Sequence, residues 1–137
     1  MADKIRQVEY YYVEVPDKPG EGARILSGLM EAGVNLLATC GFPTTGGKAQ
    51  IDLVPENADA LRDAAKKLNL KLSERKRAYA IEGQDRVGAV AEVYGKLAKD
   101  GINVHAAQAV TAGSGRYGMI VWVKPADHER ARKSLGA

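Results

Sequence analysis

The chain repeats itself. Slid against itself by 68 residues, the distance from Tyr11 to Tyr79, the sequence aligns in one ungapped frame. Glu14 falls on Glu82, Asp17 on Asp85, Gly20 on Gly88 and Ala23 on Ala91. Leu29 meets Leu97, Gly33 meets Gly101, and Asn35 meets Asn103. The frame still holds at Gly47/Gly115, Ala58/Ala126, Asp59/Asp127 and Arg62/Arg130. A fixed period of this kind marks a duplicated unit, and it must be recognised before any element is assigned. A chain of 137 residues then divides into two small repeats, residues 1–76 and 77–137.

Each copy carries the same order of periodicities. "VEYYYVEV" is β-branched and aromatic and reads as a strand, and "PDKPGEG" interrupts it. "ARILSGLMEAG" places Ile25, Leu26, Leu29 and Met30 at helical spacing and ends on Gly33. "VNLLATCGF" and "KAQIDLV" read as strands joined by "PTTGGK". "ENADALRDAAKKL" is a second helix, and "LKLSER" a short fourth strand. The order βαββαβ is the ferredoxin-like unit, an α+β fold with an antiparallel sheet and its helices on one face. The second copy runs the same way through "YGMIVWV" and a short helix, "PADHERARKSL", and it lacks the fourth strand. Its first strand is therefore left with an open edge, and either the uninterrupted segment 70–82 is expected to join the two sheets or another chain to complete the edge.

"GSGRYGMIVWV" contains a G-x-G-x-x-G at Gly113, Gly115 and Gly118. A dinucleotide fingerprint of that form must open a helix. Here the glycines lead into a β-branched and aromatic strand, so they are read as a hairpin turn, matching Gly46 and Gly47 of the first copy.

The order of elements and the loops resemble the ACT domain family, small regulatory modules that bind amino acids. The resemblance rests on "VPDKPGEGARI" followed by "EAGVNL", repeated as "EGQDRVGAVAEV" and "KDGINV". It implies a tandem pair of modules with a ligand near the first strand–helix loops, at an interface between modules. Carried over by position, the ligand-binding residues are Asp17, Pro19, Gly20 and Asn35, then Asp85, Val87, Gly88 and Asn103. The second copy departs from D-x-P-G at Val87.

The same loops have a chemistry of their own. A glycine at a helix N-terminus lets a ligand approach backbone N–H groups that have no intrahelical partner. Those groups favour a carboxylate. Asp17 and Asp85 could cap the helix or meet an ammonium group, and the Asn35 and Asn103 amides both donate and accept. An α-amino acid fits these groups, and no cofactor is expected.

Strand alternation sends Tyr11 and Val13, like Tyr79 and Ile81, toward the helices. Tyr10, Tyr12, Ile120 and Trp122 then point to the opposite face, where they are expected to pack against another sheet, within the chain or in a homodimer. Composition excludes several functions. The lone Cys40 forbids an intrachain disulfide, and His105 and His128 are too few and too separated for a metal site. No nucleophile–base arrangement or carboxylate pair suggests an enzyme. The net charge of +3 is concentrated in "KLSERKR" and "ERARKSLGA"; it is read as solvated surface, and nucleic acid is not an expected partner. No apolar stretch suits a membrane span or a signal peptide, so a cytoplasmic protein is expected. The reading is a regulatory protein that binds an amino acid and relays that state to an enzyme or regulator. The alternative is a structural interaction module without a ligand.

Overall fold

The structure, a computed structural model, describes residues 3–137. Six strands and four helices run in the order β1 (Lys4–Pro16), α1 (Glu21–Glu31), β2 (Leu36–Pro43), β3 (Lys48–Pro55), α2 (Ala58–Lys67), β4 (Lys76–Gln84), α3 (Ala89–Lys99), β5 (Ala106–Gly113), β6 (Arg116–Trp122) and α4 (His128–Leu135). They form two compact units, one of Glu9–Lys76 and the other of Arg77–Ala137 with the residues up to Val8. The expected split at 76/77 thus differs from these units in the first eight residues.

In the first unit the strands lie in the order β2-β3-β1, all antiparallel neighbours. Tyr11 pairs with Leu53 and Val13 with Ile51, and these side chains point to one face. There they pack with Ile25 and Leu29 of α1 and Leu61 and Ala64 of α2 into a closed core. Leu53 and Leu61 are both wholly shielded from solvent, the condition under which each contributes about 1.5–3 kcal/mol by burial.

The second unit repeats this pairing with the same period. Tyr79 pairs with Val121 and Ile81 with Met119, and their core is closed by Val93 and Leu97 of α3 and Ala131 and Leu135 of α4. Equal register in both copies follows from equal spacing of the inward residues, because a one-residue slip would turn every one of them outward.

Three expectations need correction. Residues 70–75 form no regular strand; the segment lies beside β1, with Leu70 and Leu72 against the core. The Ser73 hydroxyl accepts the Tyr12 N–H at 2.9 Å, a bond that a backbone carbonyl would accept in a regular ladder. The open edge in the second unit is filled by the chain itself. Residues 4–8, the beginning of β1, lie beside β4 in the order β1-β4-β6-β5, with Ile5 against the core. Finally, the last helix starts late. Asn57 caps α2 through Ala60 N–H, whereas the matching Pro125 begins a short 3-10 turn, Pro125–Asp127, before α4.

Candidate functional site

Both strand–helix loops end on a glycine in the left-handed region, Gly20 at φ 95° and Gly88 at φ 85°. A side chain there would be strained, so the sequence keeps glycine at both N-caps. No side chain caps either helix. Asp17 and Asp85 are exposed and are not N-caps. Instead each loop is fixed to its hairpin through the backbone: Asp17 N–H donates to Gly47 O at 2.9 Å, and Asp85 N–H to Gly115 O at 2.8 Å. In the second unit Ala89 N–H is taken by Arg86 O, which leaves the Val90 and Ala91 N–H groups at the start of α3 without an intrahelical acceptor.

Val90 and Ala91 line a cleft of about 290 Å³. Its walls come from the β4–α3 loop and first turn of α3 (Asp85, Arg86, Gly88), from β5 (Val110, Thr111) and from Tyr117 of β6. Val87 stands wholly exposed in the loop.

The asparagines are placed elsewhere. In each copy β1 or β4 ends where its helix begins, and the helix carries the chain to the opposite end of the unit. Its 11 residues span roughly 16 Å, so Asn35 lies far from Gly20, and Asn103 far from Gly88. Asn35 is exposed and donates to Glu56 at 3.1 Å, and its carbonyl accepts the Glu56 N–H. Within one unit the four carried-over residues do not form one site: Asp17, Pro19 and Gly20 share a loop, as do Asp85, Val87 and Gly88, and the asparagines stand apart.

Beside the cleft is a cluster that the sequence reading missed. The Asp3 carboxylate, only 5% exposed, accepts from Tyr117 OH at 2.8 Å and from Arg86 Nη1 and Nη2 at 3.1 and 3.4 Å. Arg86 also donates to Glu92 at 2.5 Å and to Gln84 O at 2.9 Å. Burial alone would raise the Asp3 carboxyl; the hydrogen bonds from Arg86 and Tyr117 outweigh it and hold it below the usual range. Burial and then the bond to Asp3 push the Tyr117 hydroxyl up to about 12. The signal for this cluster was present where the copies differ: Gly83, Arg86 and Tyr117 stand where the first copy has Val15, Lys18 and Ala49.

On the face away from the helices, Asp52 of β3 is buried between its cross-strand neighbours Tyr12 and Cys40 and accepts from Gln50 at 2.8 Å. Burial raises its carboxyl, and burial followed by the Asp52 charge pushes Tyr10 up to about 12. Tyr10 and Tyr12 are half-buried, whereas Ile120 and Trp122 are buried although neither belongs to a helix-facing core. Among the described residues, no group of three or more His, Cys, Asp or Glu side chains is placed to hold a metal ion. No described helix is long and apolar enough to cross a membrane.

The sequence matches no family model and no curated protein. Solved structures do match. The regulatory subunit of aspartate kinase from Thermus thermophilus, in its ligand-free form, superposes at TM-score 0.66 and 14% identity, covering 98% of this chain and 94% of that one. The chain shares the fold of that subunit. The corresponding subunit from Thermus flavus gives a TM-score of 0.57 at 17% identity over the same shares of the two chains. Protein BT0572 from Bacteroides thetaiotaomicron gives 0.81 at 15% identity, with 96% and 88% covered. At such identities the likeness is one of fold.

Proposed function

We propose that this protein is a regulatory module that binds an amino acid, or a closely related small carboxylate, in the cleft at the β4–α3 loop, and passes its bound state to an enzyme or regulator. The observation that carries this reading is the uncapped start of α3. The first residues of the helix line the cleft, no side chain caps them, and Gly88 adds no side chain at its start. A carboxylate on the N–H groups of those first residues would gain both hydrogen bonds and the helix dipole. Asp85, on the wall of the cleft, offers a negative partner for an ammonium group. Aspartate kinase regulatory subunits have the same fold, which supports a regulatory role and an enzyme as partner. The first loop, with Asp17, Pro19 and Gly20, has the same uncapped glycine start and is a second, weaker site of the same kind. Asn35 and Asn103 could contribute only where another module brings them to a loop, as in a homodimer.

Thermal denaturation across the twenty amino acids, followed by calorimetry, tests the proposal. A ligand of the folded state at 100 times its Kd raises stability by about 2.7 kcal/mol. A selective rise in Tm that Gly88→Val abolishes is the expected result. No rise with any amino acid would refute it and favour the interaction module.

A further inference from the structure

The second unit contains a built receptor for a carboxylate. Three substitutions between the copies create it, each with a separate task. Glycine at 83 makes the space: a Cβ there would sit 2.9 Å from Asp3 Cγ, and closer still to its Oδ1. The first copy has Val15 at this position, with its side chain buried in the core. Tyr117 supplies a hydroxyl donor at 2.8 Å where the first copy has Ala49. Arg86 supplies two guanidinium nitrogens where the first copy has Lys18, and only arginine presents such a fork. The occupant of the receptor, Asp3, comes from 114 residues away in sequence. Arg86 and Tyr117 also line the cleft.

We propose that Asp3 is an internal stand-in for a ligand carboxylate: the receptor formed by Gly83, Arg86 and Tyr117 takes a small carboxylate, and a ligand in the cleft gains it by exchanging with Asp3 and loosening residues 3–8 from β4. The exchange rests on the function proposed above; the receptor does not. Tethered to its own receptor, Asp3 competes at a high effective concentration. A bare carboxylate therefore cannot displace it, and a successful ligand must add contacts in the cleft, such as those of the α3 N–H groups. Binding would thus be read out as release of the N-terminal strand segment, a two-state element of the kind regulation requires.

The probe is sodium acetate against sodium chloride at equal ionic strength, on the full-length chain. Asp3→Gly removes the internal carboxylate and leaves a space that acetate fits. The variant is expected to melt roughly 5–10 °C lower. Acetate should recover at least half of that loss saturably, chloride none of it, and Arg86→Met in the same background should remove the recovery. Wild type should show no acetate-specific rise. An Asp3→Gly protein that folds and does not distinguish acetate from chloride overturns the receptor, as does recovery that survives Arg86→Met. Should Asp3→Gly not fold, amide exchange of residues 4–8 decides instead: it should quicken in Tyr117→Phe, and unchanged exchange overturns the proposal. The exchange step is read separately. An amino acid that stabilises wild type while leaving exchange of residues 4–8 unaltered would sustain the proposed function and overturn the displacement.

Discussion

Gly83→Ala should destabilise a strand that ordinary reasoning says it should improve. Replacing a strand glycine by alanine removes excess backbone freedom from the unfolded chain, typically a gain of about 0.5–1 kcal/mol. Here the added methyl would collide with the Asp3 carboxylate and press on Tyr117 Cε1 at 3.1 Å. The aromatic ring can yield by a few tenths of an ångström; the carboxylate must leave. Its departure breaks the Tyr117 O–H bond to an ionised acceptor, which is worth about 1.5–3 kcal/mol. The net expectation is a loss of about 1–2 kcal/mol, or roughly 3–10 °C in Tm for a chain of this size. Calorimetric melts of four proteins measure it: wild type, Gly83→Ala, Asp3→Ala and the double variant. With Asp3 truncated the collision disappears, so Gly83→Ala should turn neutral or mildly stabilising in that background. The sign reversal is the coupling between the two sites. If Gly83→Ala stabilises wild type, or costs the same in both backgrounds, the reasoning about this cluster is wrong.

Three further outcomes are expected. Because the Asp3 carboxyl is held below its ordinary value of about 4, its contribution to stability is complete above that value and lost as pH falls through the lowered folded value. Wild type should therefore lose stability below pH 4 more steeply than Asp3→Asn, as denaturant titrations at several pH values would record. Gly88→Ala places a side chain at φ 85° and should cost about 1–2 kcal/mol although its Cβ meets nothing within 4 Å, so a neutral result in urea melts would contradict a strained loop. Leu53→Ala empties part of a core with no solvent access and should cost about 2–5 kcal/mol by the same assay.

The repeat was legible because it is written twice. Paired positions such as Tyr11 and Tyr79, or Leu29 and Leu97, face inward in both copies, and the inward faces fixed the strand register. What the sequence concealed was long-range or depended on one atom. Residues 70–75 have an acceptable strand pattern, yet the Ser73 hydroxyl takes the bond that would have continued the ladder. The partnership of residues 4–8 with β4 has no local signal, since nothing within ten residues of Asp3 announces Arg86 or Tyr117. Matching the copies also biased attention toward identities such as Asn35/Asn103, whereas the most specific cluster lies at positions where the copies differ.

The placement of residues 4–8 bears on how the chain is made. During synthesis these residues emerge before Glu9–Lys76, whereas their partners in β4 and β6 emerge after nearly all of it. Glu9–Lys76 holds a complete core of its own and can close early. The unit that contains Arg77–Ala137 cannot, because one strand segment of its sheet precedes Glu9–Lys76 in the chain and the rest follows it. Closing so long a loop delays the step and makes it slow relative to local folding. Deleting residues 4–8 would therefore injure the unit of Arg77–Ala137 while sparing Glu9–Lys76, to which they are directly joined.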